Sequence, residues 1–171
     1  MIIAAALPMV LSAGDRVTTH EIADAAGIAE GTIFRVFESK DALIAAVIDA
    51  ALDTTALEAS LASIDAGQPL ERAVAAAVAV LQQRVVDIWR LMSSVGPRFH
   101  DHSPRPTGDS PALITLFEAH RGALAVEPSV AARYLRGLTL AMTHPMIVDQ
   151  PIGASDIARQ FLHGAVKGRR C

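Results

Sequence analysis

The stretch VTTHEIADAAGIAEGTIFRVFESKDAL, residues 17–43, decides how this chain folds. Thr18 is of the N-cap type, and Glu21 follows three positions later, the spacing of a capping box. Ile22, Ala23 and Ala26 give the short helix that follows an inward face. Gly27 ends it, because a helix C-terminus often needs a left-handed residue. Ile28 and Ala29 make a turn, with the apolar Ile28 suited to plug between two helices. Residues 30–37 then predict a second short helix. It opens on Gly31-Thr32, small enough to approach another surface closely, and Arg35 projects one turn later. Ser39 caps a further helix that begins at Lys40 or Asp41. Two short helices joined by a tight turn form a helix-turn-helix. In that motif the second helix lies in the major groove of duplex DNA, where an arginine reads guanine bidentately or clamps phosphate.

On the N-terminal side, residues 2–12 predict a helix ending near Gly14, with Pro8 expected to kink it by removing a backbone donor. MIIAAALPMVL resembles the apolar core of a signal peptide but lacks a positively charged n-region. On the C-terminal side, Leu43, Val47, Ala50 and Ala51 carry the helical period of a segment expected over 40–63. Pro69 then suits the start of the next helix. Residues 70–95 are apolar on most sides, the pattern of a helix central to a bundle. Residues 96–111, rich in proline, are expected to be a loop, and helices are expected over 113–124, 129–144 and 155–167.

Composition agrees with an all-α fold: about half the 171 residues are apolar, many of them alanine. Aromatic residues are scarce, which argues against a stacking platform for single-stranded nucleic acid. The net charge is −3, so DNA binding must come from a local surface rather than bulk charge. Residues 1–45 carry Arg16, Arg35 and Lys40 against Asp15, Glu21, Asp24, Glu30, Glu38 and Asp41, a balance that opposes binding to phosphate. The single cysteine, Cys171, excludes an intrachain disulfide framework. A cytoplasmic location is expected, and no apolar run reaches the ~20 residues that span a bilayer.

Residues 2–43 resemble the TetR (tetracycline repressor) family. The likeness rests on Ile2, Ala5-Ala6 and Gly14, then Thr18-Thr19, Ile22-Ala23 and Ala26-Gly27-Ile28. It continues through Gly31-Thr32-Ile33-Phe34, Phe37 and Ser39-Lys40-Asp41-Ala42-Leu43. This is a quarter of the chain, and the remainder resembles the family only in layout. The resemblance implies a helix-turn-helix DNA-binding head, residues 1–45, on a helical-bundle body, residues 46–171, that senses a ligand and dimerises. It implies a ligand-responsive repressor that reads a pseudo-palindromic double-stranded operator as a homodimer. Thr18, Thr19, Gly31, Thr32, Phe34, Arg35 and Lys40 are the expected DNA-binding residues. The chain departs from the family pattern at Phe34, where a tyrosine hydroxyl is common, and at Val36, where histidine or tyrosine is common. Glu30 stands where a basic or neutral residue is common, and Ala29 replaces a serine cap at a cost of ~1 kcal/mol. Relatives usually carry a short basic segment before the first helix, and such an arm is expected upstream of Ile2 here.

In the body, Trp89, Met92, Phe99 and Phe117 are expected to border a cavity for a mostly apolar small-molecule effector. Leu135, Leu138, Met142, Ile157, Phe161 and Leu162 are expected at a four-helix dimer seam. No nucleophile elbow, glycine-rich phosphate loop or paired carboxylate site is present, so neither catalysis nor a cofactor is expected. Two alternatives are kept beside this reading. One is a helical sensor or interaction protein that has lost DNA binding. The other is a metal-binding helical protein using the His100-Asp101-His102 loop.

Overall fold

The structure is a computed structural model that describes residues 1–102, 109–150 and 152–165. Among these the fold is all-α, without a strand. The helices are α1 (Ile2–Ala13), α2 (Thr19–Ala26), α3 (Glu30–Val36), α4 (Lys40–Leu52), α5 (Thr55–Ala62), α6 (Leu70–Ser94), α7 (Pro111–Ala119), α8 (Pro128–Ala141) and α9 (Ala154–Ala165). The side chains of His100, Asp101 and His102 lie outside the described residues, as do Cys171 and positions 166–167 of the last expected helix.

The chain divides into two compact units, the first made of Met1–Asp53 and Asp87–Pro106. Its core joins Ala6 and Val10 of α1, Ile22 of α2, Ile33 of α3 and Leu43, Ile44, Val47 and Ile48 of α4. Leu91 and Val95, at the end of α6, and Phe99 complete it. α1 runs through Pro8 as one helix, so the expected interruption is confined to a missing backbone donor. Gly14 closes α1 with φ of 66°, and a Cβ there would lie 1.8 Å from the Ser94 carbonyl oxygen. The Ser94 hydroxyl reinforces this approach by donating to the Val10 carbonyl at 3.1 Å. Part of the segment expected as loop is a 3-10 helix, Pro97–His102. From it Arg98 bonds Asp15 at 3.0 Å and Asp41 at 3.1 Å.

The second unit comprises Thr54–Val86 and Thr107–Cys171. Leu61 of α5, Val74, Ala77, Val78 and Leu81 of α6, Leu113, Leu116 and Phe117 of α7, Ala131 and Leu135 of α8, and Ile157 and Phe161 of α9 fill its core. Ser110 caps α7 at the Leu113 amide, and the Glu58 carboxylate accepts the Ala112 N–H at 3.0 Å. Gln82 donates to the Thr143 hydroxyl and the Ile152 carbonyl, which ties the connection after α8 to α6.

Two expected boundaries shift. The helix expected over 40–63 is two helices, α4 and α5, broken at Asp53 and Thr54. Aspartate and threonine side chains compete with the helical backbone for hydrogen bonds, and three such residues, Asp53-Thr54-Thr55, stand in a row here. The helix expected over 113–124 ends at Ala119, and Arg121–Ala123 forms a separate 3-10 turn. Arg121 holds that turn by bonding both Glu118 and Glu127 at 2.8 Å.

Candidate nucleic-acid interface

The helix-turn-helix is assembled by local hydrogen bonds that the sequence encodes directly. The Thr18 hydroxyl accepts the Glu21 N–H, and the Glu21 carboxylate accepts the Thr18 N–H at 2.8 Å, completing the capping box. These bonds to the Thr18 backbone, and then to its hydroxyl, hold the Glu21 carboxyl below the usual carboxylate range. At the other end Gly27 is left-handed, with φ of 66° and ψ of 35°. The Ile28 N–H reaches back to the Ala23 carbonyl and the Gly27 N–H to that of Asp24, the two bonds of a Schellman motif. Ile28 is partly buried against the first unit's core, the plugging role expected for it. Ala29 enters α3 in an extended conformation without a side-chain cap, and the Thr32 N–H bonds the Ala29 carbonyl at 2.8 Å. Ser39 caps α4 by accepting the Ala42 N–H.

Ile33 is fully buried and fixes the rotation of α3. At about 100° per residue, Arg35 points roughly 160° away from Ile33, so it stands on the outer face. It is exposed, with no ion-pair partner among the described residues. Phe34 and Val36 flank it and are also exposed, at 50% and 62%. Gly31 is exposed and Thr32 partly so, one turn toward the helix start. Lys40 is half-buried at the start of α4 and adds to the field that lowers the Glu21 carboxyl. Thr18 is exposed, but its hydroxyl is engaged in the capping box. Thr19 is half-buried, and its hydroxyl donates to Glu30 at 2.5 Å, locking α2 to the first residue of α3. That lock was not legible in the sequence, because the two residues lie on different helices and helical periodicity does not carry across the turn between them.

Most acidic residues of this head have local partners, of which one, Arg98, is a permanent cation. Glu21 serves the capping box and Glu30 accepts from Thr19. Asp24 lies 3.5 Å from His20, while Asp15 and Asp41 share Arg98, a cation from outside the first 45 residues.

The residues expected in the body are placed differently. Trp89 and Met92 are half-buried and Phe99 is buried, all in the first unit. Trp89 lines an open groove of about 580 Å³ with Pro8, Leu11 and Arg90. Phe117 is wholly buried in the second unit's core, its ring centroid 5.6 Å from that of Phe161. Phe117 is therefore occupied by packing. The residues expected at the dimer seam lie on α8 and α9 and just past the end of α8. Leu135, Ile157 and Phe161 are buried in this chain's own core, and Leu138, Met142 and Leu162 pack against it. Leu138, Met142 and Leu162 keep part of their surface exposed. The large apolar side chains left exposed in this region are Tyr134, Leu140, Met146, Ile147 and Ile152. Among the described residues there is no cluster of metal-ligating side chains, and no helix is long and apolar enough to cross a membrane.

Residues 2–47 match the family of bacterial regulatory proteins known as tetR. No curated protein sequence matches the chain. Its fold is found in a TetR-family transcriptional regulator from Mesorhizobium loti, with a TM-score of 0.68 and 18% identity over 97% of this chain and 95% of that one. A TetR transcriptional regulator from Streptomyces coelicolor shares it at a TM-score of 0.57 and 23% identity over 96% of each chain. The superantigen PfiT has it too, at 0.63 and 19% over 98% of this chain and 95% of that one. A fold so shared does not fix a function by itself. Beyond the fold, this chain carries the matched head, with its capped α2, left-handed Gly27 and outward Arg35. Residues 2–47 thus form a helix-turn-helix head that matches the tetR family of bacterial regulatory proteins, carried on an all-helical fold shared with TetR-family transcriptional regulators.

Proposed function

We propose that this regulator is a repressor that binds a pseudo-palindromic operator as a homodimer and is released by a small, mostly apolar effector. In this reading residues 1–45 carry the DNA-binding elements and residues 46–171 serve sensing and dimerisation. The protein acts in the cytoplasm and by binding alone, with no catalytic step. The observation that carries the reading is Arg35, exposed on the outer face of α3 and free to enter a major groove. Thr32 and Gly31 let the helix approach closely, and Phe34 borders the same face. Lys40 and Thr18 sit where phosphates would pass, contacts that set register without reading sequence. Thr19 acts through Glu30 by fixing how α3 sits on α2. A two-fold dimer would offer two such helices about one DNA turn apart, hence the pseudo-palindrome. On the effector side, half-buried Trp89 lines the open groove beside Pro8 and Leu11, while Met92 packs against the core that contains Phe99. An effector lowers operator affinity only as far as it binds the released conformation better.

Selection from random duplex DNA, followed by fluorescence anisotropy at several salt concentrations, tests this directly. Arg35→Ala is expected to weaken the selected operator by ~1–3 kcal/mol and to relax specificity at one position. Lys40→Ala is expected to weaken all duplexes alike and to flatten the salt dependence. Unchanged affinity in both variants would remove the basis of the proposal.

A further inference from the structure

The outer face of α3 is unusually poor in hydrogen-bonding groups for a surface that reads bases. Across its seven residues, Glu30 is engaged by Thr19 and Ile33 is buried. Gly31 has no side chain. Thr32 and Arg35 carry the remaining hydrogen-bond donors, while Phe34 and Val36 are the large exposed apolar side chains. Local structure gives no reason for the second of these. Valine is a weak helix former with a stiff side chain, and here it ends the helix with 62% of its surface exposed. Both apolar residues lie about 100° from Arg35, one on each side, so they flank whatever that arginine contacts.

The major-groove floor carries one apolar group, the C5-methyl of thymine. We infer that Phe34 and Val36 read thymine methyl groups on either side of the base contacted by Arg35, so that each half-site is a guanine flanked by thymines. The inference rests on the operator reading above and deepens it. It assigns specificity at the flanking positions to the loss of water from methyl and side chain together, with no hydrogen bond. Val36 carries the sharper discrimination. Its short branched side chain has one preferred rotamer and presents a fixed apolar surface, whereas the larger Phe34 ring turns about two side-chain torsions.

Replacing thymine by uracil deletes the methyl group and leaves base pairing intact, so the test leaves the protein unaltered. The selected operator is resynthesised with uracil at each thymine of one half-site in turn, and binding is read by anisotropy. About a fourfold loss per contacted methyl is expected at one or two positions flanking the guanine, as for burial of one methylene. In Val36→Ala, one of these penalties should vanish while the other persists. Val36 is exposed and alanine is the better helix former, so the variant should fold. If uracil throughout the half-site leaves affinity unchanged, methyl reading is wrong while operator binding stands. If the penalties persist in Val36→Ala and in Phe34→Ala, the assignment to these side chains is wrong. If selection enriches no duplex, the operator reading itself fails and takes this inference with it.

Discussion

Gly14 and Gly27 share a φ of 66° but stand in different surroundings. At Gly27 a Cβ meets nothing within 4 Å, so alanine there pays only for the left-handed backbone. At Gly14 the same Cβ would lie inside the Ser94 carbonyl, and ψ of −146° is a conformation that only glycine adopts readily. Gly27→Ala is therefore expected to lower unfolding stability by about 1 kcal/mol, and Gly14→Ala by about 3 kcal/mol or to prevent folding. Urea denaturation of the two variants side by side measures the contrast, and equal losses would show that the approach to Ser94 is not what fixes Gly14. The need for Gly27 was legible in the sequence because it follows a capped, periodic helix. Gly14 was legible as a helix end only. Its partner lies 80 residues away, and no local pattern announces a backbone contact across that distance.

The reciprocal bonds between Thr18 and Glu21 make α2 the element most fully written in its own residues. Thr18→Ala should cost about 1 kcal/mol of stability. The depressed Glu21 carboxyl adds a pH dependence of definite sign. A group whose folded pKa is lowered contributes stability above its unfolded value and loses that contribution as pH falls through the folded one. Glu21→Gln keeps hydrogen-bonding capacity but not the charge. Its stability deficit relative to the parent should therefore be present at neutral pH and close in acid below the carboxylate range. Thermal unfolding across pH reads this out, and a deficit independent of pH would rule out the charge as its source. The break after α4 shows where such legibility stops. Leu43 and Val47 set a helical period that Ala50 and Ala51 prolong, while Asp53-Thr54-Thr55 interrupts the backbone without interrupting the apolar pattern.

For the whole molecule, the question is which apolar faces the chain satisfies by itself. α8 has apolar residues on two sides, and periodicity alone does not say which side belongs to the core. Leu135 is spent inward, whereas Tyr134 and Leu140 are 55% and 47% exposed, with Met146 and Ile147 exposed just beyond the helix. Exposed apolar groups of this kind mark partner surfaces, and this one is proposed as a contact of the homodimer beside the expected seam. Leu140→Asp should yield folded monomers in sedimentation velocity, because the charge would be buried only on association. Leu135→Asp should unfold the chain instead. A parent protein that sediments as a monomer at micromolar concentration would refute the dimer, and dimers of Leu140→Asp would place the contact elsewhere.

The core of the unit that carries the helix-turn-helix is closed by Leu91, Val95 and Phe99. That gives the protein a birth order. A ribosome working at about 5–20 residues per second delivers α1 to α4 several seconds before it delivers the side chains that complete their core. Through that interval the nascent head must wait with Val10, Ile44 and Ile48 incompletely covered, while the stretch between, Thr54–Val86, emerges and begins its own separate packing. The helix-turn-helix is thus held by the caps of α2 and α4 before it is held by a finished core, and the part of this stretch made earlier is not the part finished earlier.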